Sequence, residues 1–251
     1  MRHLFHLTIA ATLAAVPVSA QRGPAAAATN LPADVLALAC APSVTYEPPP
    51  TPLRITGGQD SGARRSFFPG DLITINAGTQ NGIEVGQEFY ARRVQVQNGA
   101  TPSPTRPGVI RTAGWLRVYA VDDTMSLATI THACDTIETG DYLETFALPA
   151  MPAVAPATTQ AERDNYGRIL AGNDRRGSFG RGDFFVIDRG RDHAIAPGAQ
   201  FVVYRDRRLA ENFLFELGEA VAVDVKENTS TLRVTLSRDA FATGDYVALR
   251  K

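Results

Sequence analysis

The sequence predicts an all-β protein with two tandem small antiparallel β-barrel or sandwich domains that arose by internal duplication. Residues 70–89 match residues 182–201 without a gap, and residues 114–143 match residues 218–247. Short apolar segments bounded by glycine recur through both copies, and no long segment shows the 3.6-residue period of a helix. Five or six short strands in fewer than about 100 residues are typical of a small barrel or sandwich.

The first 20 residues predict a signal peptide. Arg2 supplies the positive end, an apolar stretch runs from Leu7 to Val18, and Val18-Ser19-Ala20 is a small-x-small cleavage pattern. The apolar stretch is too short to span a bilayer, and no other segment is apolar enough to do so. We therefore expect an exported protein, periplasmic or extracellular, that does not span the membrane. An uncleaved amino-terminal anchor is the alternative.

Residues 21–51 are rich in alanine and proline, which predicts an extended tether with room for a turn or two of helix between Leu31 and Ala39. After the signal peptide the chain has two cysteines, Cys40 and Cys134. In an oxidising compartment we expect them to pair. Such a link closes a loop of roughly ninety residues and contributes about 4–5 kcal/mol. Two free thiols and lipidation of Cys40 are the alternatives.

Domain 1 is predicted at 52–147 and domain 2 at 166–251, joined by an Ala/Pro-rich linker at 148–165. The predicted strands are 72–75, 89–96, 115–121, 127–133 and 142–146 in domain 1, and 184–187, 201–204, 219–225, 231–236 and 246–249 in domain 2. We expect Gly78, Gly86, Gly190 and Gly198 to turn the chain with positive φ. The offset between the copies falls from 112 to 104 residues, so domain 1 has eight extra residues, which we place in a Pro-rich surface loop at 98–108.

Composition and motifs exclude several functional classes. The 251 residues are 44% apolar and 20% charged, as in ordinary globular proteins, and a net charge of −1 provides no field that would attract nucleic acid. The sequence contains no P-loop, nucleophile elbow or dinucleotide fingerprint. His132 and His193 belong to no group with metal-ligand spacing. The sequence therefore predicts no catalytic residues, no cofactor, no metal site and no nucleic-acid partner.

Three residues are candidates for binding. Trp115 is the chain's only tryptophan, and its counterpart in the second copy is Glu219. If partly exposed, Trp115 could stack on a sugar or anchor a partner; packing beneath the Pro-rich loop is the alternative. Pro104 and Arg106 in that loop join it as candidates, because loops on a fixed scaffold often carry function.

Both copies contain Gly-Asp, an apolar strand, Asn/Asp-x-Gly, then Gly-x-x-Phe, and a closing Gly-Asp-Tyr. The carriers are Gly70, Asp71, Gly78, Gly86, Phe89, Gly114, Val118, Gly140 and Asp141, and then Gly182, Asp183, Gly190, Gly198, Phe201, Gly218, Ala222, Gly244 and Asp245. This pattern resembles the carboxy-terminal domain of flagellar assembly protein T, although Ala222 stands where that family has valine. The resemblance implies a periplasmic, non-catalytic assembly role.

These expectations combine into one functional hypothesis. We expect an exported envelope protein that acts as a binding or scaffolding module, with another envelope protein or a cell-wall polymer as its partner. Recognition of a cell-wall or surface polysaccharide through Trp115 and the Pro-rich loop is the alternative. A hydrolase with an unrecognised site is the third hypothesis.

Overall fold

A computed structural model describes residues 31–49, 51–60, 62–96, 101–162, 165–173, 176–207 and 213–251. The structure is mostly β and includes a closed barrel of six strands. The predicted signal peptide lies outside the described residues. Among the residues described, no helix has both the length and the apolar character needed to cross a bilayer.

The first half of the chain forms a helix and nine strands. They are α1 (Ala33–Ala39), β1 (Ser43–Thr45), β2 (Ile55–Gly58), β3 (Ser66–Phe67), β4 (Leu72–Ile75), β5 (Glu88–Gln95), β6 (Gly108–Val121), β7 (Ser126–Ala133), β8 (Ile137–Glu138) and β9 (Tyr142–Thr145). Six strands form an antiparallel sheet in the order β2-β4-β7-β6-β5-β9. A bridge between Arg54 and Tyr142 joins the two end strands. The sheet encloses an apolar core that includes Ile73, Leu116 and Ile130.

The second half of the chain forms the closed barrel. Its strands are β10 (Gly167–Gly172), β11 (Phe184–Ile187), β12 (Gln200–Asp206), β13 (Leu214–Val225), β14 (Ser230–Ser237) and β15 (Tyr246–Leu249). They follow the order β10-β11-β14-β13-β12-β15 around the barrel. This order corresponds strand for strand to the order in the first sheet, because β2 matches β10, β4 matches β11, and so on through β9 and β15.

A buried ion pair occurs at the same place in both halves. Arg93 on β5 donates to Asp141 before β9 through Nε at 2.7 Å and Nη2 at 2.9 Å. Arg205 on β12 donates to Asp245 before β15 through the same atoms at 2.8 and 2.6 Å. Burial raises the pKa of Asp141, and the Arg93 guanidinium opposes that rise. The aspartate of each closing Gly-Asp dipeptide therefore ties a long strand to the turn before the last strand.

The four turn glycines behave in two ways. Gly86 and Gly198 have φ of 90° and 88°, as the sequence predicts. The prediction is wrong for Gly78 and Gly190, whose φ values are −138° and −139°. A Cβ at Gly78 would lie 2.0 Å from a backbone oxygen, and one at Gly190 would lie 2.1 Å from another. These two positions therefore require glycine because a hairpin backbone approaches closely, and not because φ is positive.

The expected tether is the main departure from the predicted architecture. Its described part contains α1 and β1, and β1 pairs with the start of β6. Val44 packs against Ala171 and Val186 of the closed barrel. Leu38 packs on that barrel too, whereas the next residue, Ala39, packs in a cluster with Trp115 of the first sheet. The segment is not extended because its apolar side chains bury surface on both halves of the protein.

The Ala/Pro-rich linker also lies against the closed barrel. The Ala155 N–H donates to the Gly198 carbonyl at 2.9 Å, and Gln200 Nε2 donates to the Ala155 carbonyl at 2.8 Å. Met151 packs beside Leu38 and Phe184. The linker and the amino-terminal segment thus both contribute to the junction between the halves.

Candidate binding cleft between the two halves

A cleft of about 420 Å³ lies at this junction. That volume falls within the range of small-molecule sites, roughly 300–1,000 Å³. The amino-terminal segment, the first sheet, the closed barrel and the linker all contribute side chains. The lining comprises Leu38, Ala39, Ala41, Pro42, Ser43, Tyr90, Arg92, Glu144, Thr145, Ala147, Pro149, Ala150, Val223, Asp224, Lys226 and Thr231.

The first sheet contributes a paired cation and anion to the cleft. Arg92 Nη1 donates to Glu144 Oε2 across β5 and β9 at 2.5 Å, and both side chains are partly buried. The Arg92 Cζ atom lies 4.4 Å from the ring centroid of Tyr90, which is on the same face of β5. Arg92 Nε is buried and has no acceptor among the described residues.

The closed barrel contributes a second cation and anion from the end of β13. Asp224 and Lys226 both line the cleft. Lys226 is exposed as a whole residue, yet loss of solvent around its ammonium in the cleft lowers its pKa. The neighbouring Arg92 also lowers that pKa, whereas the carboxylates of Asp224 and Glu144 oppose the shift. Lys226 and Lys251 are the chain's only lysines.

Two cations and two anions therefore lie around one cleft, and the first sheet and the closed barrel each supply one of each. A charged ligand entering the cleft would meet complementary groups of either sign. Such an arrangement favours a polar ligand or a partner segment carrying both charges.

Trp115 is buried, so the condition under which the sequence made it a binding candidate, a partly exposed ring, is not met. It is only 2% exposed. Its ring stacks on His132 at 4.2 Å between centroids and packs against Tyr90 and Phe146, with Ala39 of α1 in the same cluster. The side chain points to the outer face of the sheet, and α1 covers that face. The ring has no free face for a sugar. It packs beneath α1 and not beneath residues 101–108, which are the part of the Pro-rich loop that the structure describes.

Pro104 and Arg106 are exposed in the turn before β6. A bridge between Ser103 and Arg106 closes that turn. Trp115 lies seven residues beyond Gly108 on β6, a distance of about 23 Å along an extended strand. The structure therefore separates Trp115 from Pro104 and Arg106 and does not join the three candidate residues in one site.

The predicted disulfide is present. Cys40 and Cys134 are bonded, with their Cα atoms 5.6 Å apart. Their sulfurs lie beside His132, whose pKa is lowered by burial. The disulfide attaches the end of α1 to the end of β7. The proximity of His132 is an additional feature that the cysteine spacing alone did not predict.

The charged cleft residues were missed by the sequence reasoning. A signal for them does exist, because the two copies differ at these positions. Arg92 aligns with Tyr204, and Glu144 aligns with Ala248, so the charged pair is present in one copy only. A search for charges that one copy has and the other lacks would have selected Arg92, Glu144 and Asp224, but not Lys226, which aligns with Asp122.

No protein-family model matches this chain, and no curated protein is significantly similar to it. The cleft, the junction and the disulfide are therefore the features on which a functional inference rests.

Proposed function

We propose that this protein is an exported, non-catalytic envelope protein that acts as a binding scaffold, with its partner seated in the cleft between the two halves. One observation carries this proposal: the charged groups of the cleft come from both halves of the chain. Arg92 and Glu144 come from the first sheet, whereas Asp224 and Lys226 come from the closed barrel. The complete set of four charges depends on the two halves being held in one arrangement.

The contacts that hold the halves support a scaffolding role. Val44 of β1 packs on the closed barrel while β1 pairs with β6 of the first sheet. Thr231 Oγ1 donates to the Pro42 carbonyl at 3.1 Å in a buried position. The disulfide attaches the same segment to β7 through Cys134. Pre-organisation of this kind reduces the entropy cost of binding.

We further propose that the halves are tandem domains, at 52–147 and 166–251, that arose by duplication. The equivalent strand orders support this, as do the two arginine–aspartate pairs. Arg205 follows Arg93 by 112 residues, and Asp245 follows Asp141 by 104. A relation to the carboxy-terminal module of flagellar assembly protein T would account for the shared Gly-Asp pattern and for an assembly role.

Export is part of the same proposal. The sequence pattern at 1–20 is that of a signal peptide, and a disulfide is compatible with an oxidising compartment. In that compartment the partner would be another envelope protein or a cell-wall polymer.

A charge-reversal experiment tests the proposal. Tagged wild-type protein, Lys226→Glu and the control Lys251→Glu would be incubated with the envelope fraction of the source organism, and the retained protein and polymer compared. Lys251 is the matched control because it is the only other lysine and pairs with Glu162 outside the cleft. We expect wild type and Lys251→Glu to retain the same partner and Lys226→Glu to lose it. Equal retention by Lys226→Glu, or retention of nothing by wild type, would refute the role of the cleft.

A further inference from the structure

Three side chains with metal-ligating atoms meet where α1 joins the first sheet. Cys40 caps the carboxyl end of α1, His132 lies on β7, and Cys134 follows the end of β7. One ligand atom from each lies within 4.8 Å of the other two. His132 and Cys134 are two residues apart, so an extended backbone directs both to the same side. All three residues are only partly buried, so a metal ion can reach them.

A small cavity adjoins the two sulfurs. Its volume is about 20 Å³, and Cys40, Cys134 and Asp135 are among its lining residues. That volume is large enough for one water-sized ligand. A zinc ion with three protein ligands leaves a fourth tetrahedral position for water or a carboxylate. The cavity is also lined by Arg111 and not by His132, so it gives a water ligand access to the sulfur side of such a site.

We propose that reduction of the disulfide converts this cluster into a site for one soft cation, Zn²⁺ or Cu⁺, bound by the two cysteine thiolates and the His132 imidazole. The reductant is a dithiol. It gives two electrons and two protons to the Cys40–Cys134 bond, yields two thiols, and is itself oxidised to a disulfide. Metal binding then releases both thiol protons. Thiolate ligands select soft cations over Mg²⁺ or Ca²⁺.

Zinc–sulfur bonds of about 2.3 Å at a tetrahedral angle hold two sulfurs about 3.8 Å apart. A disulfide holds them at about 2 Å, so reduction must let the two sulfurs separate by about 2 Å. The His132 nitrogen already lies within 4.8 Å of both sulfurs. The metal would connect Cys40 to Cys134, so α1 would stay attached to the first sheet after the covalent bond is lost. The disulfide and the metal are therefore alternative links between the same two elements.

Cobalt titration tests this site on the full mature protein. The protein is reduced with a phosphine, the reductant is removed without oxygen, and Co²⁺ is added while the thiolate-to-cobalt charge-transfer absorption is recorded. We expect one Co²⁺ per chain, displaced by Zn²⁺. Oxidised wild type and Cys40→Ser/Cys134→Ser should show no such absorption.

His132→Phe separates the proposed site from simple binding to two thiols. Phenylalanine keeps a ring to stack on Trp115 and removes both ligand nitrogens, and His132→Gln serves as a second variant if His132→Phe does not fold. We expect each to bind Co²⁺ at least about tenfold more weakly, since even loss of groups that only support metal ligands costs 10–100-fold. Zn²⁺ should also raise the urea midpoint of reduced wild type, and at the same concentration it should raise that of the variant less, because the variant binds the metal more weakly.

Three results would overturn the proposal. Reduced wild type could show no charge-transfer absorption with Co²⁺. The variants without His132 could bind Co²⁺ as tightly as wild type does. The urea midpoint of reduced wild type could fail to rise when Zn²⁺ is added.

Discussion

Removal of the disulfide should destabilise the protein by an amount that the structure allows us to calculate. Cys40 and Cys134 are separated by 94 residues in the sequence. The chain-entropy model then gives about 4.7 kcal/mol of stabilisation, because the link restricts the unfolded chain. The double variant Cys40→Ser/Cys134→Ser should lose this amount, which is a large part of the stability of an ordinary domain.

The chain's single tryptophan lies beside the disulfide, so its fluorescence can measure the loss of stability there. Trp115 shares an apolar cluster with Ala39, Cys40 and Cys134, so its fluorescence reports on the docking of α1. Urea unfolding followed by this fluorescence should show a midpoint lower by about 2 M in the double variant, for a denaturant slope of about 2 kcal/mol/M. Wild type in a strong reductant, without metal, should behave in the same way as the double variant.

A small effect would refute this reasoning. If the midpoint fell by less than about 0.5 M, the link would contribute only about 1 kcal/mol at the same slope. Agreement between the reduced wild type and the double variant would show that the missing bond, and not the serine side chains, is responsible for the change.

Three further predictions concern single side chains. Burial lowers the pKa of His132 in the folded protein, so the unfolded chain takes up a proton first and stability is lost as the pH falls below about 6.5. Urea midpoints measured from pH 7.5 to 5.5 should therefore fall less in His132→Phe than in wild type. An equal fall in both proteins would contradict the lowered pKa of His132. Asp141→Asn should lower the free energy of unfolding by about 2–3 kcal/mol, somewhat less than for a fully buried pair, because its arginine is partly exposed. Glu227→Gln, in an exposed ion pair, should lower it by less than about 1 kcal/mol. Equal losses of stability in thermal unfolding would exclude a special role for the Arg93–Asp141 pair. Gly78→Ala should lower the free energy of unfolding by about 3 kcal/mol or more, because the new Cβ would meet a backbone oxygen at 2.0 Å. The new Cβ of Gly70→Ala meets no atom, so this variant should lose only about 1–2 kcal/mol, because of its positive φ. A lower urea midpoint for Gly70→Ala than for Gly78→Ala would contradict the close approach of the backbone at Gly78.

Much of the strand pattern could be predicted from the sequence. The predicted strands 72–75, 184–187 and 246–249 coincide with β4, β11 and β15. Each of these segments is a mainly apolar run that follows a Gly-Asp dipeptide, and local preference and burial agree there. The strands β2 and β10 were not predicted as strands, because both contain glycine, which is depleted in strands. Their pairing depends on neighbours distant in the sequence.

The junction was harder to predict than the strands. The Ala/Pro-rich composition of residues 21–51 indicates an extended segment, but Val44 and Leu38 are buried there by contacts with the closed barrel. Composition does not disclose such contacts, because they depend on how the two halves are placed. The Cys40–Cys134 link was predictable, since the expected export and the presence of only two cysteines left one pairing.

The candidate site, like the fold, could be predicted from the sequence only in part. The charges of the cleft come from four positions between residues 92 and 226, and only the fold brings them together. Trp115 was selected because it is unique in the sequence, but uniqueness does not determine exposure. Strand alternation directs the Trp115 side chain away from the core of the first sheet. The contact with α1 that buries it could not be predicted from the strand alone.

The central claim is that the amino-terminal segment holds the two halves in one arrangement, and a distance measurement between them tests it most directly. Spin labels carried on ketone-bearing residues at Met125 and Leu236, which are exposed on opposite halves, leave the disulfide intact. Pulsed electron paramagnetic resonance should give one narrow distance distribution for this protein and a broader one after Val44→Asp, because a buried charge would detach β1 from the closed barrel. A broad distribution that Val44→Asp leaves unchanged would contradict the claim.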